Sequence, residues 1–194
     1  MAELLRTHPL EAWNVAFERL PDTVRIAVEP FVAMVDVRLG DVSPDAGSRL
    51  GVDLPKAPNT WVPAGTGRAV WLGPDEWLLS STTETPEELE GRVRAAVLPL
   101  GGTAADVSAQ RIGLRLTGSR VRDVLAKGCS IDLHPRVFGR GSSAQTTLGQ
   151  AGVVLLALSD AGDDHLLLVR SSFAGYLADW LLDAALEFTT THDS

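Results

Sequence analysis

Two pairs of short apolar runs, each pair separated by a turn-forming segment, restrict the possible fold of this chain most. The first pair is RAVWL (68–72) and WLLSS (77–81), which flank the turn-like residues 73–76. The second pair is VVLLALS (153–159) and HLLLVRS (165–171), which flank SDAGDD. Apolar runs of this length around a polar turn are typical of strands, and the second pair predicts an antiparallel hairpin.

Helix signals alternate with these strands. Thr85 is a good N-cap, Pro86 suits the first helical position, and Glu88 completes a capping box. Helical spacing of apolar residues also covers residues 10–20 and 172–184. Strands and helices that mix without strict alternation indicate an α+β fold, with helices packed on a largely antiparallel sheet.

Weaker patterns complete the expected organisation. Ser119 is expected to cap a short helix that ends at a left-handed Gly128. Residues 40–67, rich in Gly, Pro, Asp and Ser, are expected to be irregular. We therefore predict three parts, which are an N-terminal helical arm (1–23), a single α+β domain built of two loosely similar halves (24–188) and a disordered tail (189–194).

Charge and cysteine content exclude several classes of partner and location. The formal net charge of −8 argues against nucleic acid and anionic membranes as partners, because phosphate groups are bound by basic surfaces. The single cysteine excludes a disulfide within the chain and fits a reducing compartment, so we expect a cytoplasmic protein. The N-terminal residues do not resemble a signal peptide, and no run approaches the roughly 18 apolar residues of a membrane span.

The segment 125–145, LAKGCSIDLHPRVFGRGSSAQ, has the composition of a catalytic loop. A nucleophilic Cys129 would need a base and an electropositive, partly exposed setting, and Lys127 and His134 are near it in sequence. A lone cysteine after a helix terminator is more often a small buried apolar residue. We favour this structural interpretation, with His134 as a turn residue whose ring holds the loop.

Metal and dinucleotide sites lack the necessary residues. Zinc sites use three or four ligands, whereas the four histidines are scattered at positions 8, 134, 165 and 192, and only Asp132 and His134 lie close together. The pairs Gly65-x-Gly67 and Gly139-x-Gly141 lack the third glycine of a dinucleotide-binding turn. We therefore expect no catalytic, cofactor-binding or metal-binding residue in this chain.

The charge is distributed unevenly, which suggests a docking surface. Residues 111–140 hold seven Lys and Arg against two Asp, a net +5, and leave −13 for the rest of the chain. Such a cluster is typical of contact with an acidic partner surface, although a solvated strand and helix face is an equal alternative. Two of the five Trp also lack an evident place in a core. The candidate interface residues are Trp13, Trp61, Arg111, Arg115, Arg122, His134, Arg136 and Arg140.

Four stretches of the sequence resemble the gamma subunit of heterotetrameric sarcosine oxidase. They are LAKGCSIDLHPRVF (125–138), SAQTTL (143–148), RSSFAGYLADWLLDAALEF (170–188) and WLGPDEWLL (71–79). The resemblance covers roughly residues 24–188 and is most specific in the C-terminal half. Lys127-Gly128-Cys129 is also similar to folate-binding proteins that maintain iron–sulfur clusters, but the Gly-Gln-Glu that follows there is replaced by Ser-Ile-Asp here.

The resemblance implies a non-catalytic subunit of a flavin- and folate-dependent enzyme, with a fold similar to the folate-binding domain of the glycine-cleavage T-protein. That enzyme oxidises sarcosine to glycine with hydrogen peroxide and formaldehyde or methylene-tetrahydrofolate. FAD, FMN, NAD and tetrahydrofolate are expected in the partner subunits, which are the larger alpha and beta subunits and a small delta subunit. A stand-alone folate-dependent aminomethyl transferase is the alternative, and a thiol enzyme that uses Cys129 is a third hypothesis.

Overall fold

The computed structural model of the chain describes residues 8–40 and 44–189 of the 194. The strands in these ranges are β1 (Arg25–Val28), β2 (Ala33–Arg38), β3 (Trp61–Ala64), β4 (Gly67–Gly73), β5 (Glu76–Ser81), β6 (Thr103–Asp106), β7 (Arg111–Thr117), β8 (Ser143–Leu148), β9 (Ala151–Ala157) and β10 (Asp164–Arg170). The α-helices are α1 (Asn14–Glu18), α2 (Pro44–Leu50), α3 (Pro86–Val97), α4 (Val121–Ala126) and α5 (Ala174–Ala185). Short 3₁₀ turns lie at Glu11–Trp13, Leu98–Leu100, Ser171–Phe173 and Leu186–Phe188.

The strands form two five-stranded antiparallel sheets. Sheet 1 has the order β3-β4-β5-β2-β6, and sheet 2 has the order β1-β7-β10-β9-β8. Every hydrogen-bonded pair is antiparallel, including both predicted strand pairs, in which Ala69 lies opposite Leu79 and Leu166 opposite Leu156. The predicted α+β fold with a largely antiparallel sheet is confirmed.

The sheets pack face to face between two layers of helices. Helices α2 and α3 cover the outer face of sheet 1, and α1, α4 and α5 cover the outer face of sheet 2. A third apolar core lies between the sheets. It consists of Met34, Trp61, Val70, Leu72 and Leu78 from sheet 1 and of Val154, Leu156, Leu166 and Leu168 from sheet 2. In the part of the chain that is described, no helix is long and apolar enough to cross a membrane.

Strand β10 shows why the sequence has continuous apolar runs. Leu167 and Val169 point to the helices, whereas Leu166 and Leu168 point to sheet 1. Since both faces of the strand are covered, the usual alternation of apolar and polar residues disappears. Strand β7 alternates instead, with Leu114 on the helix side, because its other face borders a cleft between the sheets.

The sheets are joined along one edge, where β3 meets β8. Thr60 and Ser142 form an antiparallel bridge, and the Trp61 N–H donates to the Gly141 carbonyl at 2.8 Å. Two side chains cross the same junction. The Trp61 indole N–H donates to the Ala157 carbonyl at 3.0 Å, and the Gln145 side-chain amide donates to the Leu72 carbonyl at 2.6 Å.

Helix α3 begins as the sequence predicts. The Glu88 N–H donates to Thr85 Oγ1 at 3.3 Å, and the Thr85 N–H donates to Glu88 Oε2 at 2.9 Å. These two bonds are the reciprocal pair of a capping box, and the bonds from Thr85 also lower the pKa of the Glu88 carboxyl. Leu89 and Val93 then point into the outer core of sheet 1.

The N-terminal helix is shorter than predicted and packs against the rest of the chain. Only the turn Glu11–Trp13 and α1 are helical within residues 10–20. Leu10, Phe17 and Leu20 are buried in the outer core of sheet 2. Of the predicted arm and tail, residues 1–7 and 190–194 lie outside the described ranges. The division into arm, domain and tail stays a prediction.

The predictions for residues 40–67 and for the cap of α4 were wrong. Residues 40–67 are not irregular throughout, because they contain α2, whose Leu50 is buried against sheet 1, and β3. Ser119 does not cap α4, since the N-cap position is Arg120 and no side chain accepts a capping hydrogen bond there. The burial of Leu50 depends on a distant sheet, which the composition of the segment does not reveal.

Candidate functional site

The segment 125–145 begins where α4 ends against α5. Gly128 does not adopt the left-handed conformation that the sequence predicts. It is needed for space, because a Cβ atom at this position would lie 2.5 Å from Trp180 Cζ2 and 2.8 Å from Gly149 N. The Gly149 N–H donates to the Gly128 carbonyl at 3.1 Å, so the backbone of this segment is in direct contact with the turn after β8.

Cys129 lies inside the protein. Its side chain is 9% exposed and belongs to the outer core of sheet 2. Among the described residues, the side chain within hydrogen-bonding reach of its sulfur is Thr146, whose Oγ1 lies 4.0 Å away. The same residues contain no group of three or more His, Cys, Asp and Glu that could hold a metal ion. A reactive thiolate needs a nearby base and an electropositive environment. Among the described residues, no basic side chain forms a hydrogen bond to the sulfur.

His134 organises the exposed turn of the segment. Its N–H donates to Asp132 Oδ1 at 2.8 Å, and its Nδ1 accepts from the Arg136 N–H at 3.2 Å. Its carbonyl accepts from the N–H groups of Val137 and Phe138. The imidazole therefore holds the local backbone, as the structural interpretation of the sequence expects.

Lys127 connects α4 to the end of α5. Its ammonium group lies 2.7 Å from Glu187 Oε1, donates to the Ala184 carbonyl and lies 5.2 Å from the centre of the Phe188 ring. A cation beside the last carbonyls of a helix is favourable because those groups carry partial negative charge. These contacts give Lys127 a structural role at the base of the segment.

The basic region 111–140 is divided between two places. Arg115 pairs with Asp164, with its Nε and Nη2 at 3.0 and 2.7 Å from the carboxylate oxygens, and Arg111 is partly buried in the cleft between the sheets. Arg136 and Arg140 are exposed on the loop after α4. The structure therefore does not form one continuous basic patch from these residues.

The loop holds the best candidates for a docking surface. Within the described ranges, neither Arg136 nor Arg140 takes part in an ion pair, nor does Arg122, which is partly buried against Gly162. Arg136 and Arg140 present positive charge to solvent without an ion pair in these ranges, and the exposed His134 lies beside them. Their role in docking stays a prediction.

The two tryptophans suggested as partner anchors have contacts within the chain. Trp61 is 8% exposed and lies in the core between the sheets, and its role at a partner interface stays a prediction. Trp13 is partly buried against the core of sheet 2, and its indole N–H donates to Asp179 Oδ1 of α5 at 2.7 Å. Both rings fix parts of the chain to each other.

A cleft of about 1190 Å³ opens between the sheets, on the side away from the β3–β8 junction. Apolar side chains of both sheets form its floor, and the connections around Pro30 and Ser108 form its rim. The residues that line the cleft include Glu29, Arg68, Val70, Leu78, Arg111 and Leu166. This is a concave and mostly apolar site with a few charged groups, which is the usual character of a binding pocket.

Arg68 is a charged residue of this cleft that was not among the candidates predicted from the sequence. It lies on β4, next to Trp61 on β3, and its guanidinium carbon lies 5.6 Å from the centre of the Trp61 ring. The only available signal was a charged residue on the same strand face as Val70 and Leu72, which both point into the core between the sheets. That signal is weak, since strand ends often carry a solvated charge.

The relatives of this chain follow from sequence comparison. The family model described as sarcosine oxidase, gamma subunit (SoxG) matches residues 41–187. The chain belongs to this family. The resemblance found in the C-terminal half of the sequence is thereby confirmed.

Proteins of the family match along most of the chain. The sarcosine oxidase subunit gamma of Corynebacterium sp. (strain U-96) is 34% identical over 181 residues, which are 93% of this chain and 86% of that protein. The sarcosine oxidase subunit gamma of Arthrobacter sp. is 37% identical over 142 residues, which are 73% of this chain and 68% of that protein.

Solved structures agree with the family and with the predicted fold. A chain of heterotetrameric sarcosine oxidase from Corynebacterium sp. U-96, in complex with pyrrole 2-carboxylate, superimposes with a TM-score of 0.87 at 29% identity, over 98% of this chain and 100% of that chain. The glycine cleavage system aminomethyltransferase T from Bartonella henselae gives a TM-score of 0.62 at 13% identity, over 94% of this chain and 53% of that chain. The expected similarity to the T-protein fold is confirmed, and at this identity it concerns the fold alone.

Proposed function

We propose that this chain is a non-catalytic, assembly-stabilising subunit of a heterotetrameric, flavin- and folate-dependent sarcosine oxidase. The observation that carries the proposal is the match to a chain of heterotetrameric sarcosine oxidase, at a TM-score of 0.87 over almost the full length of both chains. The oxidase would convert sarcosine to glycine with hydrogen peroxide and formaldehyde or methylene-tetrahydrofolate. In this proposal FAD, FMN, NAD and tetrahydrofolate belong to the alpha, beta and delta subunits, and the assembly is cytoplasmic.

The side chains of the 125–145 segment support a structural role. Cys129 is buried, His134 holds its own turn, and Lys127 is paired with Glu187. The groups that could have formed a nucleophile and its base are therefore engaged separately, whereas nucleophilic catalysis needs them in contact.

The exposed residues His134, Arg136 and Arg140 are the proposed docking surface for an acidic region of a larger subunit. They lie on a loop that is fixed at both ends, by Gly128 against Trp180 and by the bridge from Ser142 to Thr60. A rigid, positively charged loop is suited to electrostatic docking, because little conformational entropy is lost on binding.

Co-expression with the larger subunits tests this function. We expect the tagged chain to retain them in a pull-down, and the chain purified alone to lack flavin absorbance and sarcosine-dependent peroxide production. Charge reversal of Arg136 and Arg140 should weaken retention, most clearly at low salt, whereas reversal of Arg25 on edge strand β1 should leave it unchanged. Peroxide production by the chain alone would disprove the non-catalytic role.

The alternative is a stand-alone aminomethyl transferase, and only the shared fold supports it. Fold similarity does not establish function. Calorimetry of the isolated chain with tetrahydrofolate separates the two hypotheses, since micromolar binding would favour the transferase.

A further inference from the structure

Arg68 is held at a defined position in the cleft between the sheets. The backbone N–H of Arg68 donates to Ser80 Oγ at 3.0 Å, and the Ser80 hydroxyl donates back to the Arg68 carbonyl at 3.4 Å. The strands approach so closely here that a Cβ atom on Gly67 would lie 1.9 Å from the Ser80 carbonyl oxygen. The backbone that carries the guanidinium group is therefore rigid.

The guanidinium group of Arg68 has no anion within the described residues. Its Nε is fully buried without a hydrogen-bond partner, and none of the ion pairs in residues 8–40 and 44–189 includes Arg68. Burial is the main cause that lowers the pKa of this group, and Arg115 adds to the effect, while Glu29 and Asp164 oppose it. Arginine nevertheless stays charged, and a charge that is partly removed from water is stabilised by an anionic partner.

Nearby carboxylates do not fill this role. Asp164 is engaged with Arg115 through two hydrogen bonds, at 3.0 and 2.7 Å. Glu29 lies on the rim of the cleft and forms no ion pair within the described ranges. Arg68 is thus left without an ion-pair partner within the described residues.

Trp61 prepares Arg68 to receive a planar anion. The guanidinium carbon lies over the indole ring, 5.6 Å from its centre, and the indole is itself fixed by the bond to the Ala157 carbonyl. A cation on an aromatic face keeps its N–H groups directed outward in their own plane. This is the arrangement in which arginine binds a carboxylate through two parallel hydrogen bonds.

We propose that this cleft binds a small organic acid, with its carboxylate paired to Arg68 and its apolar body against Val70, Leu78 and Leu166. These three side chains line the same cleft and belong to the core between the sheets. The guanidinium group of Arg68, which forms no ion pair within the described residues, beside an apolar wall defines the ligand class as an amphipathic carboxylate. The proposal does not depend on the proposed function, because it concerns the isolated chain.

Calorimetry of the full chain with benzoate tests the proposal, and benzamide serves as the uncharged probe of equal size. We expect saturable binding of benzoate, and binding of benzamide weaker by about tenfold or more, because the charge-assisted bonds are lost. Arg68→Gln should weaken benzoate to the level of benzamide. Arg111→Gln, the same change at another partly buried arginine of the cleft, should leave benzoate binding unchanged.

Two further variants keep the result unambiguous. Thermal unfolding of Arg68→Gln without ligand should show a Tm at or above that of the parent, since the change removes a partly buried charge that forms no ion pair within the described residues. Residues 1–7, which contain Glu3, precede His8 on the rim of the cleft, so a chain without them is also compared. The proposal is overturned if benzoate does not bind, if benzamide binds equally well, or if Arg68→Gln binds benzoate as tightly as the parent does. A markedly lower Tm of Arg68→Gln would also overturn it. So would about tenfold tighter benzoate binding after removal of residues 1–7, because the chain's own terminus would then be the anion.

Discussion

Phe138 stacks on His165, with ring centroids 6.3 Å apart and ring planes within 6° of parallel. Phe138 lies in the loop that follows α4, and His165 lies on β10 at the centre of sheet 2. Both residues are buried, and His165 is completely inaccessible to solvent. This contact fixes the exposed turn of His134 to the interior of the domain.

The stability of the protein should fall in mild acid because of His165. Burial lowers the pKa of His165 to about 4 from its ordinary 6.5, more than the neighbouring Asp164 raises it. The unfolded chain takes up a proton near pH 6.5 and the folded chain only near pH 4, so the free energy of unfolding decreases as pH falls between these values. For this group alone the decrease from pH 7 to pH 5 is about 2 kcal/mol.

Urea unfolding of His165→Phe checks this effect. The variant should lose that part of the pH dependence, whatever its absolute stability at pH 7. His134→Gln, a histidine substitution at an exposed position, is measured beside it for comparison. Equal pH dependence of the parent and His165→Phe would show that His165 is not the group responsible.

Gly128→Ala should destabilise the protein by about 1–3 kcal/mol. The added methyl group would lie 2.5 Å from the Trp180 ring, and relief requires a shift of α4 relative to α5. Thermal denaturation measures the effect. Gly91→Ala in α3 is the control, since nothing lies within 4 Å of its Cβ position, and it should stabilise the protein by about 0.5–1 kcal/mol through helix propensity. Equal effects of the two changes would contradict the close packing at Gly128.

Trp61→Phe should lower the free energy of unfolding by about 1–3 kcal/mol. The change removes the indole donor to the Ala157 carbonyl between the sheets, where water does not replace it. Trp13→Phe removes a similar bond to Asp179 at the surface and should cost less, because the freed carboxylate is hydrated. Chemical denaturation of both variants decides the order, and a larger loss for Trp13→Phe would refute it.

Cys129→Ala should cost about 1 kcal/mol of stability and leave the oxidase activity of an assembled complex unchanged. The sulfur lies in an apolar core, with Thr146 as its polar neighbour. Thermal unfolding and sarcosine-dependent peroxide production are measured on the same preparation. A loss of activity at temperatures where the variant is fully folded would support the thiol-enzyme hypothesis instead.

Local interactions made part of the fold predictable from the sequence. The capping box of Thr85 and Glu88 depends on residues three positions apart, and both predicted strand pairs join neighbouring strands. Helix α2 was missed because its stability comes from Leu50 against a distant sheet rather than from composition. The sequence therefore predicted the elements whose partners are close along the chain.

The candidate site shows the same limit more sharply. Cys129 and His134 attracted attention because reactive residue types lie close together in sequence, yet their contacts are structural. Arg68 was overlooked because the sequence does not show which side chains have a partner. Its guanidinium Nε lacks a hydrogen-bond partner in the described structure, and this can be seen only once the two sheets are packed. Residue spacing in the sequence does not predict whether a charged side chain has a partner in the folded protein.

The junction of β3 with β8 has a consequence for the chain as a folding unit. Each sheet covers one face of the other, and β1, from the start of the chain, pairs with β7 in the sheet otherwise built from its end. A fragment that stops after β6 would present Val70 and Leu78 to water, and its complement would present Leu166 and lack an edge strand. Such fragments are prone to associate through their uncovered faces. We therefore predict that the two halves unfold as a single cooperative unit.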